Sequence, residues 1–169
     1  MAIAKKTAPR KTKKIAAKQA VKSTLIAKKS SLEFSASTAT EITATFTDSI
    51  GLTAKIAAAV AAANVNILAA TGYSASSMRR NATFTLIVDD FAKAEKALDK
   101  LGAEEIHEST VIMVETPNKV GALERIAKII SNAGINIYYF YATTSHGKTA
   151  TTVIKTADDK KAIKLLRAA

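Results

Sequence analysis

The sequence predicts an α+β protein of two tandem βαββαβ units, each an antiparallel sheet with its helices on one face, behind a basic N-terminal arm. Three observations predict it. The stretch DSIGLTAKIAAAVAAANVNI at residues 48–67 returns as NKVGALERIAKIISNAGINI at 118–137. Within each copy the apolar period alternates between 2 and 3.6 in the order strand, helix, strand, strand, helix. The positive charge is also concentrated at one end. Residues 1–29 hold nine lysines and Arg10 without one acid, hence +10, whereas the remainder carries 15 basic and 14 acidic side chains, hence +1.

At 169 residues the chain has room for one ordinary domain or two small ones. Hydrophobic residues make up 48% but aromatics only 5%, with no tryptophan, so the core is built from Ala, Ile, Val and Leu. The absence of cysteine excludes disulfides, thiolate metal sites and a cysteine nucleophile. No apolar run reaches the roughly 20 residues that span a bilayer, and the N-terminus lacks the apolar segment of a signal peptide. A cytoplasmic setting is expected.

A shift of 70 residues places Gly51 on Gly121, Ile56 on Ile126, Val60 on Ile130, Val65 on Ile135, Asn66 on Asn136 and Ile67 on Ile137 without a gap. Further on, Ala94 and Leu98 meet Ala162 and Leu166 at a shift of 68, the lost residues falling in a loop, where length costs little. In the first copy, 41–47 alternates Ile42, Ala44 and Phe46 inward as a half-buried strand. Residues 51–63 form a helix with Leu52, Ile56, Val60 and Ala63 on its inner face. Strands 65–73 and 82–88 follow around a polar loop containing Arg79 and Arg80, then helix 90–101 with Phe91, Ala94 and Leu98 buried. A fourth strand at 103–108 leads into the second copy: strand 110–116, helix 121–133, strands 135–143 and 149–155, and helix 158–167. Two helices on one face of an antiparallel sheet is the ferredoxin-like arrangement. The boundaries follow: arm 1–30, linker or extra strand 31–40, first unit 41–108 and second unit 109–169. The second unit ends without a fourth strand, which leaves the flank of its first strand open. Residues 32–37, alternating Leu32, Phe34 and Ala36, are a spare strand; either they or a partner subunit cover that flank.

After each first strand the chain turns into a helix through a glycine that permits close approach of the backbone. The first amides of that helix have no intrahelical partner and, with the helix dipole, suit a carboxylate. Asp48 and Asn118 supply oxygens for an ammonium group; alternatively each serves only as a helix cap.

These residues carry a resemblance. The segment TPNKVGALERIAKIISNAGINI (116–137) resembles the hallmark of the ACT domain, a small-molecule regulatory module, and TDSIGLTAKIAAAVAAANVNI (47–67) is a looser match. The stretch from 135 to 166 is similar to stand-alone proteins made of two ACT domains, and the likeness covers about residues 41–167. Ile50 and Val120 stand where the pattern has proline, and Thr53 where Leu123 keeps its leucine, so the second copy is the cleaner match. The resemblance implies amino-acid binding at an interface between domains. By position it implicates Asp48, Ser49, Ile50, Gly51 and Leu52 with Asn66 and Ile67. In the second copy it implicates Asn118, Lys119, Val120, Gly121 and Ala122 with Asn136 and Ile137. It also implies side-by-side pairing of sheets, hence a pseudo-dimer or a homodimer.

Other residues read more plainly. Asp89–Asp90 and Asp158–Asp159 open the second helix of each copy and suit an N-cap. Glu105 and His107 share a strand face but are too few for a metal. His146 sits in a hairpin. The run Tyr138–Tyr141 sends aromatics to both faces of one strand, one face for the core and the other for an interface. Lys5, Lys6, Arg10, Lys11, Lys13, Lys14, Lys18 and Lys22 make the arm a candidate for polyanions, which bind by counterion release without sequence specificity. Residues 1–13 are expected to be disordered, with a helix possible from Ile15 to Lys29. A targeting peptide or a solubilising tail are the other readings of the arm.

No catalytic constellation and no nucleotide loop is evident. The expectation is a non-enzymatic regulatory protein without cofactor or metal, which binds an amino acid or similar small carboxylate and changes its assembly or a partner. The alternative is a nucleic-acid-associated protein that uses the arm, with the ACT pair as dimerisation platform.

Overall fold

Two thirteen-residue strands, β1 (Ser35–Thr47) and β4 (Glu105–Pro117), organise the fold. The computed structural model describes residues 34–74, 80–144 and 147–169; the basic arm, Arg79 and His146 lie outside them. Between and after the long strands come α1 (Leu52–Ala62), β2 (Ile67–Ser74), β3 (Asn81–Val88), α2 (Phe91–Leu101), α3 (Ala122–Asn132), β5 (Ile137–Thr144), β6 (Thr149–Thr156) and α4 (Asp159–Arg167). The six strands form one antiparallel sheet in the order β2-β3-β1-β4-β6-β5.

The β1–β4 register shows how two repeats share one sheet. Ala39 pairs with Val111, Thr40 with Thr110 and Glu41 with Ser109. Residues 70 apart thus exchange places across the Thr40–Thr110 pair, and a local twofold axis passes through it. The first repeat uses residues 41–47 of β1 with the front of β4 as its fourth strand. The second uses the back of β4, and Ser35–Thr40 lies along Thr110–Glu115 as its fourth strand. The expected strands 103–108 and 110–116 are one uninterrupted β4 from Glu105, and the described part of the expected spare strand, from Phe34, runs straight into β1. Divisions at 40/41 and 108/109 therefore fall inside continuous strands.

The helices lie on one face and follow their apolar spacing. Leu52, Ile56 and Val60 on α1, and Ala122, Ile126 and Ile130 on α3, recur every fourth residue and are buried. With Ala94 and Leu98 from α2, the α1 set packs on Ile42, Ala44, Phe46 and Leu86. Ile126 and Ile130 of α3, with Ala162 and Leu166 from α4, pack on Ile112, Val114 and Ile154. Each large side chain buried this way contributes about 1.5–3 kcal/mol. Ala36 of β1 joins the second core, the Arg125 guanidinium lies 5.0 Å over the Phe34 ring, and Arg167 Nε donates to the Ala36 carbonyl at 2.7 Å. The front of β1 is therefore a packed part of the second repeat.

The other face of the sheet breaks the symmetry. Ile87, Val111 and Val153 form a small cluster there, against Ala39, Ala69, Met113 and Tyr141. Beside it the Glu41 side chain, from a residue 0% exposed, accepts hydrogen bonds from Ser109 Oγ at 3.2 Å, Tyr141 Oη at 3.0 Å and Tyr139 Oη. Burial, then the neighbouring Glu41 carboxylate, pushes both phenols well above their ordinary range. In the first repeat the equivalent positions hold Ala69 and Thr71, and Val111 replaces Glu41. The aromatic run divides by its alternation: Tyr139 and Tyr141 reach across this face to Glu41, Tyr139 remaining partly exposed, while Tyr138 and Phe140 stand exposed on the other. No described helix is long and apolar enough to cross a membrane.

Candidate functional site

Both turns place a glycine at the helix N-cap in the left-handed region, Gly51 at φ 82° and Gly121 at φ 86°. A side chain there would be strained, which accounts for glycine at both positions. Neither α1 nor α3 has a side-chain cap. The other two helices do: Asp90 accepts from the Lys93 amide at 3.1 Å and Asp158 from the Lys161 amide at 2.9 Å. The Asp90 carboxyl is held below its usual range by its hydrogen bonds to Lys93. Burial alone would raise the Asp159 carboxyl, but hydrogen bonds from Lys155 and Thr156 hold it low. So the aspartates at the second helices cap, whereas Asp48 and Asn118 do not. Asp48 Oδ2 instead accepts from Ser74 Oγ at 2.7 Å, and Asn118 Nδ2 donates to the Gly147 carbonyl at 3.4 Å.

Each turn borders a cleft between its helix and the outer pair of strands. The first, about 490 Å³, is bounded by Asp48, Ser49, Gly51 and Leu52 of the turn and Ile56 of α1. Across from them stand Ile67 and Ala70 to Ser74 of β2 and Phe84 and Leu86 of β3. The second, about 180 Å³, is bounded by Asn118, Lys119, Ala122 and Leu123, with Ala142, Thr143, Ala150 and Thr152 opposite. The copy with the cleaner match thus has the smaller cleft, and the leucine that improves the match contributes to this. Leu123 forms part of the wall where the first copy has the shorter Thr53.

The clefts gather some of the implicated residues and leave others out. Asp48, Ser49, Gly51, Leu52 and Ile67 line the first; Asn118, Lys119 and Ala122 line the second. Ile50 and Val120 are fully exposed turn tips that line neither. Gly121 and Ile137 lie off the second wall. Asn66 and Asn136 act through their backbones: the Asn66 amide donates to Asp89 at 2.9 Å, and the Asn136 carbonyl accepts from the Ala157 amide at 2.9 Å. Residues that sequence reasoning missed are Gly72, Tyr73, Ser74 and Phe84 of the first wall. Their one sequence signal was Gly72, a glycine inside an otherwise regular strand.

Charge separates the two clefts. Among the described residues of the first wall, Asp48 is the one acid and there is no base; the second has Lys119 and no acid. Glu105 and His107 are both exposed, 3.5 Å apart. No group of three or more metal-ligating side chains occurs among the described residues.

Fold and turns together give the tandem ferredoxin-like architecture that the ACT resemblance implies, two units sharing one sheet. Protein BT0572 from Bacteroides thetaiotaomicron is similar at 25% identity and a TM-score of 0.69, over 79% of this chain and 89% of that one. The ligand-free regulatory subunit of aspartate kinase from Thermus thermophilus is similar at 16% identity and a TM-score of 0.57, over 80% and 95%. That from Thermus flavus is similar at 19% and 0.57, over 82% and 98%. What this chain shares with the two regulatory subunits is the fold. No protein-family model and no curated protein matches the sequence.

Proposed function

We propose that the chain is a non-catalytic regulatory protein that binds an amino acid or similar small carboxylate beside its two turns. The observation that carries this reading is the pattern of caps. Two helices of the four described lack a side-chain cap, and both open onto a cleft. No N-cap side chain thus occupies either helix start, and the positive end of each helix dipole lies beside a cleft where a carboxylate can dock, with Glu124 in the first turn of α3 the one acid of these two first turns. The aspartate kinase regulatory subunits of the same fold support a regulatory role.

Binding is read out through assembly or a partner. The outer strands β2 and β5 are the edges of the sheet, and Leu68 and Tyr138, 70 residues apart, are exposed on them. An exposed strand edge with apolar side chains invites pairing with a second sheet, which favours a homodimer. Calorimetry with each of the twenty amino acids, alongside sedimentation with and without them, tests the proposal. Binding by one or more at millimolar concentration is expected; binding by none overturns it.

The +10 charge of residues 1–29 favours a second reading, contact with nucleic acid through the arm. Deleting residues 1–30 would then abolish a steeply salt-dependent DNA affinity, and an unchanged gel shift would refute it.

A further inference from the structure

The first cleft differs from the second in the charge, size and chemistry of its wall, and these differences specify what it takes. We infer that it selects a primary amine on a large apolar body, with the ammonium group held by Asp48 and no carboxylate required. The inference rests on the proposed use of the turns as binding sites but makes a narrower claim about one of them.

Volume is the first argument. About 490 Å³ lies within the range of clefts that enclose small organic molecules, whereas 180 Å³ falls below it. The second is the floor. Ile56, Ile67, Phe84 and Leu86 present hydrocarbon, and burial of a ligand's apolar surface against it is favourable. The floor depends on Gly72. A Cβ at that position would sit 2.8 Å from Phe84 Cε1 and 2.9 Å from Cδ1, so the bare glycine backbone lets the ring lie against β2. The second copy has Ala142 and Thr152 there and no ring to accommodate.

The third argument is electrostatic. Asp48 is the one acid among the described wall residues and no lysine, arginine or histidine stands among them; Arg80, whose carbonyl accepts from the Asp48 amide, lies outside the wall. The described side-chain partner of Asp48 is the neutral Ser74 hydroxyl, bonded to Oδ2 at 2.7 Å. Oδ1 therefore remains able to accept from an ammonium group, and a charge-assisted hydrogen bond is about twice as strong as a neutral one. A ligand bearing only a carboxylate meets a like charge at the mouth of this cleft. In the second cleft Asn118 stands in place of Asp48 and Lys119 reverses the preference.

The test uses three related ligands with the full chain, phenylalanine and its analogues without the carboxylate (phenethylamine) and without the amine (3-phenylpropionate), measured by calorimetry on wild type and on Asp48→Asn, which installs the second copy's residue. Expected are binding of phenethylamine at least as tight as that of phenylalanine, no binding of 3-phenylpropionate in the first cleft, and about tenfold weaker phenethylamine binding in Asp48→Asn. Gly72→Ala, which forces the Phe84 ring into the cleft, is expected to weaken phenethylamine without unfolding the protein. An unchanged phenethylamine affinity in Asp48→Asn, or 3-phenylpropionate displacing phenethylamine, overturns the inference. Phenylalanine bound with an affinity indifferent to Asp48→Asn sinks the inference and spares the amino-acid reading. Phenethylamine bound while no amino acid binds does the reverse. If none of the three ligands binds, the inference falls.

Discussion

The two turn clefts share a backbone and little else. Gly51 and Gly121 have nearly the same φ, the helices that follow begin one residue later in both, and neither is capped by a side chain. Yet one cleft is acidic, apolar and about 490 Å³, the other basic and about 180 Å³. Duplication fixes what the backbone and the core must do, while exposed wall residues such as Asp48, which pack in no core, diverge. Features common to both copies thus set the architecture and the place of binding, and features in which they differ bear on what each copy recognises.

The largest effects test the shared part. Ile56→Ala and Ile126→Ala each remove a side chain at most 2% exposed, and a loss of about 2–5 kcal/mol is expected for each. The pair also sharpens the comparison, because Ile56 lines the first cleft whereas Ile126 does not line the second. The space vacated by Ile56→Ala would join the first cleft rather than form a closed cavity, so Ile126→Ala is expected to cost more in chemical denaturation. Equal costs would mean that the first cleft closes over when unoccupied.

Next come the glycines. Gly51→Ala meets no atom within 4 Å, and Gly121→Ala meets only Glu124 Oε2 at 3.8 Å. Crowding is absent and only the left-handed backbone remains to be strained, at about 1–2 kcal/mol. The two substitutions are expected to lower the denaturation midpoint by the same amount. A markedly smaller cost in one copy would show that its turn relaxes to another conformation.

The far face of the sheet carries the third contrast, Glu41 with its two tyrosines against Val111 with Ala69. Both phenols titrate above their ordinary value of 10.0 in the folded protein. A group whose folded pKa is raised contributes stability that is fully present below its unfolded pKa and is lost as pH rises toward the folded value. Stability is therefore expected to be level in this respect up to about pH 10 and to fall above it. Tyr139→Phe with Tyr141→Phe should flatten that alkaline fall while lowering stability at neutral pH, since Glu41 loses two donors. An alkaline unfolding curve unchanged by the double substitution would show that the hydroxyls do not govern it.

The legibility of these features in the sequence follows the range of the interactions behind them. The repeat, the helix faces and the glycine turns are legible because each is set by residues within a few positions: Gly51 before Leu52, then Ile56 and Val60. The caps at Asp90 and Asp158 are legible for the same reason. The placement of Ser35–Thr40 shows in the sequence only as an unassigned alternation, because pairing Ser35 with Glu115 is settled by the register of the whole sheet. Glu41 reads as an ordinary outward residue of a half-buried strand; the hydroxyls that bury it come from Ser109, Tyr139 and Tyr141, at least 68 residues away. The walls of the clefts are hidden for a related reason. Gly72 acquires its meaning from Phe84 across the β2–β3 pair, and neither residue alone signals a cavity.

The smallest effect on stability is expected from the exchange most informative about recognition. Asp48 and Asn118 are both exposed at turns where neither caps a helix, so Asp48→Asn with Asn118→Asp should change stability by less than about 0.5 kcal/mol. The same exchange moves a negative charge from the first cleft to the second, beside Lys119. If wall charge governs selection, the first cleft loses its preference for amines, and Lys119, now neutralised by the carboxylate introduced next to it, ceases to attract carboxylates. Such a change in binding without a change in folding separates recognition from architecture, because backbone and caps are untouched. A double variant that binds as wild type would place selectivity in wall shape alone, in Gly72 and Phe84 against Ala142 and Leu123.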